Sequence, residues 1–392
     1  MTLIKFDKSQ SKSISPSSLL RCFHVLIICL VIYLFIQFKI FFDDRWPIRM
    51  FSFNDHQRSI DDSLRNSHDN DGDDRNESSI FKFLDYHYGH LRFDNDFSSS
   101  NNETGFDEFI VPNLIHYIQL ENPFMDFITM ISILSVVRNH RPSLLLIHTD
   151  RNRLRGKYWE QIKILNRSET SSVMGRIFLR KIQRPKRIFH RKLSSIYHAS
   201  DIARIRILQQ YGGIYLDNDV FVVNSLDRYR KFEIAIGWPY NQNIGMFHLK
   251  QIVFQSSIIQ LDPNLGTQII VCHRNARFLK LWIESYHQYR PDRWYFNAGE
   301  LPTQTILKQN PSLVHRVPER FGVTNLVQML YGSVSDGDWE KNFDTIHLLA
   351  RHRSYMINDR KIRFFNEYNI QTYNGTFGEM ARSVYYGSKR LL

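Results

Sequence analysis

"QQYGGIYLDNDVFVV", Gln209 to Val223, is the stretch whose reading decides the fold. An apolar run with the composition of a buried strand is broken by two carboxylates, Asp217 and Asp219, with Asn218 between them, directly behind a Gly-Gly turn. In an extended strand Asp217 and Asp219 project from one face about 7 Å apart, and a slight bend brings both to one ion. Two uncompensated carboxylates in apolar surroundings are costly, so the pattern calls for a counter-charge, which a divalent cation supplies. An oxygen-rich site suits Mn²⁺ or Mg²⁺, ions that keep positions open for water and phosphate oxygens.

Upstream, "SSIYHASDIARIRILQQYGG" has its apolar residues Ile196, Ala199, Ile202, Ala203, Ile205 and Leu208 on one helical face. Ser194 or Ser195 is placed to cap this helix, and Gly212 or Gly213 to stop it. Asp201 and Arg204, at i and i+3, share a face. On their own they read as an exposed intrahelical ion pair, worth a few tenths of a kcal/mol.

Working outward, "NLIHYIQL" reads as a first buried strand, "PFMDFITMISILSVVRNH" as a helix with Pro at its start, "SLLLIHTD" as a second strand and "GKYWEQIKILN" as a helix. Alternating strands and helices imply an α/β, Rossmann-like layer, in which ligands bind outside the carboxyl ends of the strands. No G-x-G-x-x-G or Walker loop occurs, so the usual dinucleotide and P-loop cradles are unsupported.

With "SDIAR", "YGG", "IYLD" and the second Asp in place, the segment Ser200 to Asp219 resembles the sugar-binding region of the DXD-containing glycosyltransferases of family 32. "VPNLIHYIQL", "NAGELPT" and "DTIHLLARHRSYM" resemble further blocks of that family, and the likeness runs from about Val111 to Gly387. The resemblance implies a GT-A fold (a mixed α/β sheet with flanking helices), a nucleoside-diphosphate sugar donor, Mn²⁺ (or Mg²⁺), and transfer with retention of anomeric configuration. It matches Asp217 and Asp219 to the metal-holding pair and Asp201 and Arg204 to residues that contact the donor sugar. Tyr215 and Asn218 lie beside them as donor-binding candidates, Tyr215 reading equally as strand core. His347 matches a family histidine near the diphosphate and a third metal ligand, or is a core histidine of an apolar strand. Asn297, Glu300 and Pro302 fall in the block near donor sugar or acceptor. Arg351 and Arg353 are candidates for neutralising phosphate, or residues of a solvated loop. Where several relatives have Trp, suited to stacking on the nucleobase, this chain has Gln119.

The 392 residues, 43% of them hydrophobic, are ample for a real core, and the net charge of +12 suggests anionic partners. Much of that charge lies in Arg176 to Lys192, including Arg180, Lys181, Arg184, Lys186, Arg187 and Arg191. Stacking aromatics are sparse there, which favours a solvated basic face or an anionic-membrane contact over nucleic acid.

Cys22 to Phe38, "CFHVLIICLVIYLFIQF", would form a helix of about 26 Å, extended toward Phe42 by snorkelling at Lys39. Lys5, Lys8, Lys12 and Arg21 precede it and Asp43 and Asp44 follow, so the positive-inside rule puts residues 1–21 in the cytosol and the rest in a lumen. No small-residue cleavage site follows, which favours an uncleaved type II anchor over residues 22–42 above a cleaved signal. Residues 43–108, rich in Asp, Asn, Ser and Arg, read as a flexible stem, and 109–392 as the lumenal GT-A domain. "DNDGDD" in that stem is not an EF-hand loop, since its first and twelfth positions are Ser67 and Ser78. Of three cysteines only Cys272 lies outside the anchor, which excludes an intradomain disulfide. Four sequons begin at Asn76, Asn102, Asn166 and Asn374.

The expectation is a Golgi enzyme moving a sugar from a nucleoside-diphosphate sugar to a glycan, glycolipid or glycoprotein hydroxyl. The alternative is a catalytically inactive lumenal sugar-binding protein of the same fold, which a broken donor site would mark. A glycosidase would need two carboxylates on different elements across a sugar ring.

Overall fold

Strand β1 (Leu114–Gln119) is the spine of the molecule, buried at every residue and parallel to β2 (Leu144–Thr149) on one side, Leu114 pairing with Leu144. The computed structural model describes Lys82, Asp85, Tyr88, Phe97 and residues 102–167, 177–240, 263–332, 338–353 and 362–392, all within the unit Asp62–Leu392. The expected tail, the anchor over 22–42 and most of the expected stem lie outside them. Among the described residues no helix is long and apolar enough to cross a membrane.

Beyond β2 lies parallel β3 (Ile177–Lys181), followed by a hairpin of β4 (Arg187–Ile188) and β5 (Arg191–Lys192) that carries part of the basic run. On its other side β1 pairs in parallel with β6 (Gly213–Leu216), the strand of the quoted stretch. The short β7 (Val220–Val222), β8 (Ile234–Gly237), β9 (Ile269–Cys272), β10 (His315–Val317) and β11 (Thr345–His347) complete the set. Seven of these form one sheet in the order β10-β8-β9-β6-β1-β2-β3. Its β6-β1-β2-β3 portion is parallel, whereas β9 runs antiparallel to both neighbours, making a mixed α/β sheet.

Helix α1 (Phe127–Asn139) starts four residues beyond the expected proline, because the Asp126 carboxylate, not Pro123, caps it by accepting from Thr129 N at 2.8 Å. Its buried serines dock β7: Ser132 donates to Val220 O, and Ser135 Oγ accepts from Val222 N at 2.9 Å. Helix α2 (Lys157–Arg167) follows β2, and α3 (Ile196–Tyr211) is capped by Ser195, whose hydroxyl accepts from His198 N. Helices α4 (Arg277–Ser285) and α5 (Thr376–Tyr385) complete the longer helices.

The turn between α3 and β6 needs its glycines. Gly212 and Gly213 have φ of 65° and 107°, and a Cβ on Gly213 would stand 2.5 Å from Leu114 O. His116 Nε2, on β1, donates to Gly212 O at 2.8 Å, and its Nδ1 faces His148 Nε2 at 2.9 Å. Burial pushes the His116 imidazole down to about 4, so it stays neutral and keeps the tautomer this link needs.

The packed part begins before residue 109, correcting the stem boundary. Phe97 joins the core, and Asn102 is buried, donating to Glu233 Oε2 at 3.2 Å and to Ser312 O at 3.0 Å. A polar composition concealed these few anchoring residues.

Candidate active site

Helix rise and strand rise explain why residues so far apart in sequence meet. From Asp201 to Tyr211 helix α3 descends about 15 Å, and from Gly213 to Asp217 the chain climbs back about 13 Å. Asp201, Arg204 and Asp217 therefore finish level, outside the carboxyl end of β6. The Arg204 guanidinium lies 3.0 Å from Asp201 Oδ1 and 3.6 Å from Asp217 Oδ1, donates to Thr267 O at 2.7 Å, and sits 4.6 Å above the Tyr215 ring.

Asp201 and Arg204 are thus buried, which overturns the exposed-pair reading. Burial pushes the Asp201 carboxyl up to about 6, Arg204 pulls the other way without cancelling it, and Asp217 adds to the rise. Burial also works against the charge on Arg204, but Tyr215, Asp217 and Asp201 outweigh it.

The two acids of the quoted stretch are not in a continuous strand. β6 ends at Leu216, and Asp217 to Asp219 form a turn, closed by Val220 N donating to Asp217 O at 3.0 Å. Apolar residues on both sides made the turn look like strand. The turn does what the expected bend would have done. With His347, Asp217 and Asp219 offer three ligand atoms all within 4.8 Å of one another. His347 arrives on β11, which pairs antiparallel with β7 so that His347 stands opposite Val220.

Tyr215 is core: its hydroxyl donates to Asp217 Oδ1 at 2.6 Å and so sets that carboxylate's orientation. Asn218 donates to Ile118 O at 3.1 Å, tying the turn to the end of β1. His347 Nε2 is 3.2 Å from Asp219 Oδ1, and Ala350 N donates to Asp219 Oδ2 at 3.3 Å. Burial opposes the Asp219 carboxylate, yet His347, Arg351 and the Ala350 amide hold it down at about 2. Burial likewise opposes the His347 imidazolium, but Asp219 outweighs it and raises that group.

The donor set fits a divalent cation of the Mn²⁺ type: two carboxylates and one imidazole, with His347 Nδ1 buried and unpartnered among the described residues. Arg204 Nε, Asn218 Oδ1 and Tyr286 Oη are buried and unpartnered in the same sense. So many unsatisfied polar atoms around one cluster suit a site built for a ligand.

The other expected residues make contacts of their own. Arg353 is buried, donating to Ile362 O and Arg363 O under the Phe365 ring, and holds the fold rather than a phosphate. Asn297 pins a loop by accepting from Arg290 N at 2.8 Å and donating to Gln288 O at 3.3 Å. Glu300 is ion-paired with Arg293. Gln119, at the end of β1, donates to Asn122 O and Phe124 O, both at 3.0 Å. Tyr286 and Tyr295, both electrostatically coupled to Asp201, were missed, although the aromatic-rich "SYHQYRPDRWYF" was a usable signal.

Residues 132–235 match the family described as "Glycosyltransferase sugar-binding region containing DXD motif". Over those residues the chain is similar to the glycosyltransferases that carry this region. Among curated proteins it is similar to "Glucan organizing enzyme 1" of Cryptococcus neoformans var. grubii, 23% identical over 220 residues, which cover 54% of this chain and 53% of that protein. The chain thus spans about half the length of the curated relative it matches. Among solved structures it is similar to the galactosyltransferase LgtC in complex with donor and acceptor sugar analogs, at 14% identity and a TM-score of 0.39, covering 69% of this chain and 95% of that one. It is also similar to the WbbM bifunctional glycosyltransferase, at 14% identity and a TM-score of 0.38, covering 86% of this chain and 64% of that one. Likenesses at this level transfer no chemistry.

Proposed function

We propose that this chain is a metal-dependent, retaining glycosyltransferase of GT-A type that moves a sugar from a nucleoside-diphosphate sugar to a hydroxyl of a glycan or glycolipid. The observation that carries the reading is the convergence of Asp217, Asp219 and His347 beside the buried Asp201–Arg204 pair, at the carboxyl end of the parallel strands.

Asp217, Asp219 and His347 would hold Mn²⁺ or Mg²⁺, which when bound offsets the negative charge of a diphosphate leaving group. Arg204, its charge held firmly, stabilises further charge as that group departs, and costs no reorganisation because Thr267, Tyr215 and the two acids already fix it. Asp201 accepts from sugar hydroxyls and turns the anomeric carbon toward the acceptor. Retention by front-face attack, with the departing phosphate taking the acceptor proton, needs no carboxylate nucleophile, and the acids here are committed to Arg204 or to the cation cluster.

A Golgi location with the domain in the lumen is part of the reading, supported by the apolar run at 22–42 behind Lys5, Lys8, Lys12 and Arg21. The test is a panel of UDP- and GDP-sugars incubated with the full-length chain in detergent and Mn²⁺. One donor should be hydrolysed in a chelator-sensitive way, and Asp219→Ala should abolish turnover while keeping the far-UV circular dichroism. An Asp219→Ala protein that still transfers sugar refutes the reading, and saccharide binding without turnover would favour an inactive sugar-binding protein.

A further inference from the structure

On α3 the site residues continue a stripe. Tyr197, Asp201 and Arg204 stand at i, i+4 and i+7, one above the other on a single face. Exposure grades along that stripe, from 6% at Arg204 and 9% at Asp201 to 39% at Tyr197. The site therefore opens to solvent toward the N-terminus of α3, with Tyr197 at its mouth.

A second large aromatic stands there. Trp294, 54% exposed, meets the Tyr197 ring edge-on with centroids 4.4 Å apart at 68°. Its backbone is fixed to α3, since Trp294 O faces His198 Nε2 at 3.2 Å, while His198 Nδ1 bonds Tyr289 Oη at 2.5 Å. On the other side the Arg351 guanidinium stacks on the Tyr197 ring at 4.7 Å. Arg351 also acts electrostatically on Asp219 and His347, so one side chain joins the aromatic pair to the cation cluster. Exposed aromatics held rigid at the mouth of a polar site mark a recognition surface, because they give up apolar area to solvent with no gain to the fold.

We propose that Tyr197 and Trp294, braced by Arg351, form the platform on which the acceptor saccharide stacks. This deepens the glycosyltransferase reading and rests on it. The apolar C–H face of a pyranose fits a flat, exposed indole, and its hydroxyls stay free for water and for Arg351. A hydroxyl of a sugar seated there points down the stripe toward Asp201, where the anomeric carbon of the donor is held. The occupant is a glycan rather than the nucleobase, because the platform lies beyond Asp201, the residue assigned to the sugar, on the solvent side.

The test uses the full-length chain with Mn²⁺ and the sugar nucleotide that the panel identifies, with lactose, maltose, cellobiose and methyl glycosides as acceptor probes. Trp294→Ala is expected to raise the acceptor KM about ten- to hundredfold and to leave the donor KM within about twofold, with Trp294→Phe falling between. Trp294 is more exposed than buried, so both variants should fold, which thermal melting checks. An unchanged acceptor KM overturns the proposal, as does a raised donor KM, which would put the nucleobase on the platform. Intrinsic fluorescence gives a readout that needs no turnover. Saccharide should shift the emission of the wild type and not that of Trp294→Phe, and the absence of any such difference overturns the platform. No consumption of any sugar nucleotide by the wild type would count against the transferase reading, with the fluorescence comparison still deciding the platform.

Discussion

His347 Nε2 lies 3.2 Å from Asp219 Oδ1, a contact made because β11 pairs antiparallel with β7 and delivers His347 opposite Val220, next to the acidic turn. Without a cation these two groups neutralise each other. With one, both become ligands, so metal binding must compete with that ion pair. Millimolar Mn²⁺ should raise the melting temperature of the wild type by a few degrees, since a ligand at 100 times its Kd stabilises by about 2.7 kcal/mol. His347→Ala and Asp219→Asn should abolish most of the rise, as read by scanning calorimetry.

Arg204 neutralises both Asp201 and Asp217 from a buried position. Arg204→Ala leaves those carboxylates facing each other without compensation and should cost about 3 kcal/mol of stability in urea unfolding. Arg204→Lys should recover little, because an ammonium cannot reach Thr267 O and Asp201 while covering the Tyr215 ring.

Asp201 titrates near 6 because burial opposes its charge more than Arg204 favours it. Donor affinity should therefore fall on the acid side with a midpoint near 6, and Asp201→Asn should bind weakly with no such limb. Stability carries the opposite sign. The folded value lies above the ordinary 3.8, so ionising Asp201 costs the folded state increasingly as pH rises from about 4 to about 6. Across that window the melting temperature of Asp201→Asn should gain on that of the wild type.

Gly213 tolerates no side chain. Its φ of 107°, and the 2.5 Å that would separate a Cβ there from Leu114 O, oppose any L-residue. Gly213→Ala should destabilise by about 2 kcal/mol or more and loosen the pairing of β6 with β1, measured by denaturation and amide exchange at Ile214 and Tyr215.

Two sequons have opposite surroundings. Asn374 is exposed, whereas the Asn102 amide is buried against Glu233 and Ser312. Passed through a eukaryotic secretory pathway, folded protein should carry glycan at Asn374 and none at Asn102, as read by peptide mass spectrometry. Glycan at Asn102 in active protein would contradict the packing of residues 102–108.

The helix and its Gly-Gly stop were legible because they depend on local spacing within Ser195–Gly213, whereas the burial of Asp201 and Arg204 beside Asp217 was not, because it depends on the strand that returns past the helix. The acidic turn was not, since Leu216 and Val220 flank it with the apolar residues of a strand. Nor could "IIVC" announce its antiparallel direction, a four-residue buried run having the same composition either way. The contact between Tyr197 and Trp294 was beyond local reading, because α3 and the segment before Asn297 meet only through the tertiary fold. Arg351 and Arg353 looked alike in sequence, and only packing separates the one exposed beside Tyr197 from the one buried under Phe365.

Strands β6 and β8 both end where the donor would sit, and the reversed strand β9 begins there, with Gly266 N bonded to Gly237 O at 2.6 Å and the Trp238 indole bonded to Pro263 O at 3.0 Å. These two clasps close the connection from β8 to β9 at its base, so insertions or deletions between them leave the register of every strand untouched.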